Sequence, residues 1–411
     1  MTPDSVHLHC APWMAPVCQP MLSDGAVALC GQTIVAVGKQ TQLASQFPQA
    51  QQTSHDNAVL IPTLINAHIH LELSHLAELT AQPQHGTFTQ WISRLLTLRE
   101  HLGAVSKAAT EAALQTAHQQ YNTGVSVLAD IGNTQLGIDL AASFPGLLLP
   151  FKEYLGLAAF TLEKNLLRLQ QEPPESQCTG HAPYSTHPRL LQHLKQRAQM
   201  LGHVFPIHTA EIAAEGTMLG QGHGEMVEFV RQRGFWDGSF IPDAGGETGS
   251  IHYLGKLGVL DKHTLCVHGV HVSEAEIELL AATQTKLCLC PGSNRFLGVG
   301  KAPVKHYLEH GILPALGTDS LASNPEVSIW REMQLLSEDH PEIDHHAILA
   351  MATQGGALAL GVANDYGTLS PGKKADILAV QLPSIPWTTK KILAYLVQTG
   401  SRIRPTRILG A

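Results

Sequence analysis

Pro62-Thr-Leu-Ile-Asn-Ala-His-Ile-His70 is an apolar run that ends in two histidines. On a strand, residues two apart point to the same face, so the imidazoles of His68 and His70 aim the same way. That run is the first of eight short apolar runs: 60–67, 125–131, 147–155, 178–182, 204–208, 264–268, 286–290 and 312–317. Helical stretches separate most of them. One spans 106–121, and one spans 188–201 and stops at Gly202. Another spans 273–282 and opens with the capping box Ser273/Glu276, and a fourth covers 325–337. Eight strands alternating with helices over about 300 residues predict an α/β fold, a closed (β/α)8 barrel of TIM type. An open doubly wound sheet is the competing arrangement.

The chain ends read differently. Before residue 60 there are short strand-like pieces at 25–29 and 33–37, punctuated by Gly and Pro. After 362 come a turn-rich stretch, a strand at 375–380 and a strand-like tail over 401–411. These pieces predict a small β-sandwich domain built from both termini, 1–60 plus 363–411, around a barrel domain over 61–362.

Composition narrows the function. The chain has 411 residues, 44% apolar and 15% charged, which is globular. Its net charge is −8, from 26 basic and 34 acidic residues, with no long basic block. Nucleic acid and anionic membrane are therefore not expected partners. Apolar runs such as 146–151 fall far short of the roughly 18 residues a membrane span needs. Residues 1–10 lack a basic segment followed by an apolar one, so no signal peptide is expected there. Seven scattered cysteines suit reduced thiols and a cytoplasmic location. Cys288-x-Cys290 lies in an apolar run without a second cysteine pair and is expected to be core. The expected partners are a small-molecule substrate and further copies of the chain, in a dimer or larger homo-oligomer.

With 24 histidines in 411 residues, about one or two His-x-His pairs are expected by chance, so context must decide. Two occur, His7-x-His9 and His68-x-His70. The first precedes every barrel run. Barrel enzymes keep their chemistry at the C-terminal ends of strands. His68 and His70 end the first run, His208 the fifth, His268 the sixth and Asp319 the eighth. Three histidine nitrogens and a carboxylate with an open position suit Zn²⁺, with Fe²⁺ or Mn²⁺ as alternatives.

These strings resemble the amidohydrolase superfamily. Ile65-Asn-Ala-His-Ile-His-Leu-Glu-Leu-Ser74 is similar to its first-strand motif. His208-Thr-Ala-Glu211 is similar to its His-x-x-Glu, and Cys290-Pro-Gly-Ser-Asn294 to its seventh-strand motif. Gly317-Thr-Asp-Ser320 carries the eighth-strand Asp, and 367–376 resembles the closing segment. Thr63 departs from the pattern, where Gly usually follows the Pro. The branch suggested is that of deaminases and chlorohydrolases. The resemblance implies that His68, His70, His208 and Asp319 bind one divalent metal, which lowers the pKa of its water toward about 7. It implies that Glu211 shuttles protons, that His268 orients the attacking oxygen, and that Asp319 also accepts a proton. The binuclear branch needs a carboxylated Lys on the fourth strand. The fourth run here ends in His181-Ala-Pro-Tyr-Ser185, and Lys152 stands on the third.

The loop over 71–91 is expected to build the pocket, with Glu72, His75, Trp91 and Arg94 as candidate contacts. Trp91 equally suits the core of a helix starting near Thr87. Tyr184, Ser185 and His271 are further candidates. Tyr184 stands where guanine deaminases carry an Arg, which argues against guanine. The combined motifs look most like enzymes that deaminate adenine-type nucleosides, aminodeoxyfutalosine deaminases among them. The resemblance thus implies a hydrolase of carbon–nitrogen bonds that releases ammonia from a 6-aminopurine nucleoside such as adenosine, methylthioadenosine, S-adenosylhomocysteine or aminodeoxyfutalosine. The alternative is the same chemistry on a triazine, pterin or cyclic amide. A catalytically inactive scaffold would require lost ligands, and all are present.

Overall fold

The computed structural model describes residues 6–410 except 84 and 239–248. Residues 1–5, part of the stretch read for a leader, and residue 411 of the expected terminal domain lie outside the described residues. Fifteen strands are described, in chain order β1 (Val6–Met14), β2 (Leu22–Cys30), β3 (Thr33–Lys39), β4 (Gln51–Ser54), β5 (Ala58–Pro62), β6 (Leu64–Ile69), β7 (Val125–Gly132), β8 (Leu147–Tyr154), β9 (Gln177–Gly180), β10 (Phe205–Thr209), β11 (Thr264–His268), β12 (Lys286–Leu289), β13 (Ala315–Leu316), β14 (Asp376–Gln381) and β15 (Thr406–Leu409).

Eight of these match the eight apolar runs and form two parallel sheets, β6-β7-β8-β9 and β10-β11-β12-β13. Backbone bonds join the sheets at their C-terminal ends. Thr318 and Asp319 N–H donate to His68 O at 3.0 and 3.1 Å, and His208 N–H donates to His181 O at 2.9 Å. Side chains two apart on these strands, among them Ile65 and Ala67, Val127, Ala129 and Ile131, and Cys288 and Cys290, share one buried cluster. Burial holds the Cys290 thiol well above its usual value, so this pair is core. Gly317 lets the strands approach closely: a Cβ there would lie 2.7 Å from His68 Cβ and 2.8 Å from Cys288 Sγ.

The helices follow their local signals. Ser106 caps Lys107–Asn122 through Ala109 N–H, and Thr87 and Ser273 form capping boxes for Phe88–Leu102 and Glu274–Ala282. Pro188–Leu201 starts on its proline and ends at Gly202 in the left-handed conformation. The stretch 71–91, expected as a loop, contains the 3₁₀ segment Leu71–Thr80.

The first run needs correction. It divides at Thr63 into two strands of different sheets. β5 pairs antiparallel with β14, and β6 pairs parallel with β7. Pro62 has no N–H to continue a ladder, and Leu64 N–H turns to Gly124 O instead. The strands of the chain ends form one seven-stranded sheet, ordered β15-β14-β5-β1-β2-β3, with β4 on β1. The sequence reading had no helix between β14 and β15, where the structure has Thr389–Gln398. Its Ile392, Leu393, Leu396 and Val397 are buried, and it packs against Ile329–Asp339 and His345–Ala350.

Candidate active site

His68 stands on β6, and His70 follows that strand directly. His208 lies on β10, His268 ends β11, and Asp319 comes three residues after β13. All five are buried. Ala210, His268 and Asp319 have φ of 54°, 74° and 56°, a region that non-glycine residues enter at a cost and that clusters at functional sites. The chain thus turns sharply at the ends of these strands.

The imidazole tautomers follow from their partners. His70 Nδ1 lies 2.7 Å from Ile131 O, and His208 Nδ1 lies 2.8 Å from His181 O. A carbonyl only accepts, so both Nδ1 atoms donate and both Nε2 atoms present lone pairs. Those two Nε2 atoms face each other at 3.1 Å. Two lone pairs at that distance call for a proton on one of them or a cation between them. Burial works against a charge on His70, yet Asp319 and Glu153 hold its pKa above the ordinary value. Both ring nitrogens of His68 are buried without a partner. Burial lowers the pKa of His68 to about 4 and holds that of His208 well below its ordinary value, which favours neutral imidazoles. The Nε2 atoms of His68 and His70 lie 3.7 and 3.5 Å from Asp319 Oδ1. Burial would raise the pKa of Asp319, but His68 and His70 hold it well below the carboxylate range. This donor set fits a divalent cation.

Ser293 and Ser323 hydroxyls donate to Asp319 Oδ2 at 2.6 and 2.8 Å. They hold that oxygen and leave Oδ1 toward the histidines. Glu211 lies two residues past β10 and is 4% exposed. Burial, then the Asp319 charge, raises its pKa well above the usual value, which favours its protonated form. Its Oε1 is 3.7 Å from His268 Nε2, a buried atom without a hydrogen-bond partner. His268 Nδ1 rests 3.0 Å from Asn294 Oδ1. Glu211, His268 and Asp319 form one cluster, and His68, His70 and His208 another.

Above these groups opens a cavity of about 490 Å³, within the usual range for small-molecule sites. Glu72, Trp91, Tyr184 and Ser185 line it, as expected, among many apolar side chains. Trp91 also belongs to a buried cluster and donates its Nε1–H to Ala322 O at 3.2 Å. His75 and His271 do not line the cavity, which corrects the sequence reading, and His271 Nε2 contacts Val299 O at 2.7 Å. Arg94 is exposed on its helix and also lies outside the lining. Lys152 pairs with Glu172 at 2.5 Å, away from the cavity. His7 and His9 sit on β1 with Thr53 and His55 as partners.

Arg99, Asn133, Glu153 and His181 line the cavity without having been singled out as contacts. Arg99 was legible: Trp91, Leu95 and Arg99 are four apart on one helix and share a face. His181 follows the fourth strand, where a polar residue signals function. Asn133 and Glu153 carried no local sign.

The aminodeoxyfutalosine deaminase of Nitratiruptor sp. is 28% identical over 383 residues, covering 89% of this chain and 89% of that protein. A 5-methylthioadenosine/S-adenosylhomocysteine deaminase of Pelotomaculum thermopropionicum is 27% identical over 375 residues, covering 87% and 80%. The Helicobacter pylori aminofutalosine deaminase in complex with methylthio-coformycin superposes with a TM-score of 0.82 at 22% identity, covering 98% of each chain. That likeness shows a shared α/β fold of TIM-barrel type. Residues 59–404 match the amidohydrolase family, so the motifs on the strand ends are those of a lineage, and the chain belongs to that family.

Proposed function

We propose that this hydrolase of carbon–nitrogen bonds is a deaminase that releases ammonia from a 6-aminopurine nucleoside. The observation that carries the reading is a buried Glu211, its pKa raised by that burial, beside a set of metal-ready imidazoles at the base of a cavity with largely apolar walls. The names of the relatives, deaminases of aminodeoxyfutalosine and of methylthioadenosine, favour the same ring.

His68, His70, His208 and Asp319 would hold one divalent cation, with Zn²⁺ best suited to three imidazoles and a carboxylate. When bound, it supplies a Lewis acid that lowers the pKa of water toward about 7. Glu211 delivers its proton to a ring nitrogen, which makes the neighbouring carbon electrophilic, and regains one from the attacking water, whose second proton passes by way of Asp319 to the departing amine. His268, fixed through Asn294, orients the attacking oxygen, and Asp319 Oδ1 takes up its proton. Trp91, Tyr184 and Ser185 contact the substrate, and Glu72 forms part of the wall.

The same reading extends to the architecture. We propose a closed barrel over 61–362, supported by the bonds that stitch the two parallel sheets together. The ends, 1–60 plus 363–411, would make a two-layered β domain, supported by a cluster that joins side chains of β1, β2 and β3 to those of β5, β14 and β15. No described helix is long and apolar enough to cross a membrane. A cytoplasmic homo-oligomer is proposed, since the described cysteines are free and Phe160 and Leu167 share an exposed face of Ala159–Gln170.

The test is ammonia release from adenosine, methylthioadenosine, S-adenosylhomocysteine, aminodeoxyfutalosine, a triazine and a pterin, assayed side by side. At least one nucleoside should convert, with the absorbance change from adenine to hypoxanthine. Turnover of a triazine or pterin alone would replace the nucleoside reading with its alternative.

A further inference from the structure

Glu153 has no part in the chemistry above, yet it stands on the cavity wall at the end of β8 and is 3% exposed. Its Oε2 accepts from Asn133 Nδ2 at 3.4 Å. Its Oε1 is buried and has no hydrogen-bond partner. His208 Nδ1 lies 3.9 Å away, but its proton already goes to His181 O. A buried acceptor without a donor is costly, so its persistence calls for a group that the chain itself does not supply.

The surroundings hold this oxygen in place. Arg99 Nη2 donates to Glu72 Oε1 and to Asn133 Oδ1, both at 2.8 Å. Glu72 Oε2 accepts the backbone N–H groups of Asn133 and Thr134 at 3.2 and 2.9 Å. Glu72 is therefore satisfied within the protein and serves as an anchor. Asn133, gripped at its oxygen, can offer only its amide hydrogens to Glu153. The sequence of fixed partners ends at Glu153 Oε1.

We infer that Glu153 Oε1 accepts a hydrogen bond from a sugar hydroxyl of the substrate and makes the site selective for ribonucleosides. This rests on the nucleoside reading above. A 6-aminopurine nucleoside carries two kinds of donor, its exocyclic amine and its sugar hydroxyls. The groups assigned to the ring and its amine, Glu211, His268 and Asp319, form one cluster, whereas Glu153 groups with His181 and His208. With the ring end at the first cluster, the donor available to Glu153 is on the sugar.

The experiment compares adenosine with 2′,3′-dideoxyadenosine on the metal-loaded enzyme. The wild type should favour adenosine in kcat/KM by about 5- to 100-fold, the range for leaving a buried acceptor without its donor. In Glu153→Met, of similar length but without an acceptor, that ratio should collapse to about one, with metal content as the check on folding. A wild type indifferent to the hydroxyls overturns the inference without any variant. So does a variant that keeps the wild-type ratio. A wild type that deaminates neither nucleoside nor any other on the panel overturns the nucleoside reading itself, which is a different result from a nucleoside deaminase blind to the sugar.

Discussion

Glu211→Gln should abolish most turnover while leaving the metal in place. The substitution keeps shape and volume but removes the transferable proton. Proton transfer by a positioned side chain contributes on the order of 10²–10⁴ in rate. The structure places the loss at the upper end, about 10³–10⁴, or about 4–5 kcal/mol at 1.36 kcal/mol per decade. The reason is that Glu211 is the carboxyl grouped with His268 and Asp319, where the ring is to be protonated. Glu215 is the next carboxyl along the chain, but it does not line the cavity. Asp319 is held well below the carboxylate range and carries no proton to give. Initial rates of ammonia release on the best substrate, at saturating concentration, with metal measured on the same sample, give the answer. Retention of more than a tenth of the wild-type kcat would refute the proton-shuttle role. Loss of metal would mean that Glu211 is a ligand.

Elemental analysis should find about one divalent cation per chain, and His208→Ala should lose it; two equivalents at full activity would restore the binuclear scheme. His268→Asn should keep its metal and lose activity, and a metal-free variant would make His268 a ligand instead. Ser323→Ala removes one of the two hydroxyls on Asp319 Oδ2, a charge-assisted bond of about 1.5–3 kcal/mol, so metal retention against a competing chelator should weaken by about 10- to 100-fold. An unchanged affinity would show that Ser293 suffices. Burial pushes the Glu332 carboxyl from 4.5 up to about 8, against the donors Gly292 N–H and Asn324 Nδ2. A carboxyl with a raised folded pKa contributes fully below its unfolded value, and that stability is lost as pH rises through the folded value. Thermal unfolding of wild type should therefore lose stability between about pH 4.5 and 8, and Glu332→Gln should flatten the profile in that window; parallel profiles would place the Glu332 pKa elsewhere.

The site's chemical groups were legible in the sequence because they depend on local order. A strand's period of two aims His68 and His70 together, and the ends of short apolar runs mark where a barrel presents polar groups. Ser106, Thr87 and Ser273 cap helices through atoms three residues away, an interaction already written into their neighbours. What tertiary structure decided is non-local. The tautomers of His70 and His208 depend on the carbonyls of Ile131 and His181, which belong to other segments of the chain. The orientation of Asp319 depends in part on Ser293, and the free oxygen of Glu153 on Asn133, Arg99 and Glu72, each brought in from a separate segment. The division at Thr63 is of the same kind, since an apolar run cannot say which sheet its residues will join. His75 and His271 illustrate the converse: both are near metal-site motifs in sequence, but neither lines the cavity. Periodicity fixes which way a side chain points along its own element, and only packing between elements fixes what it meets.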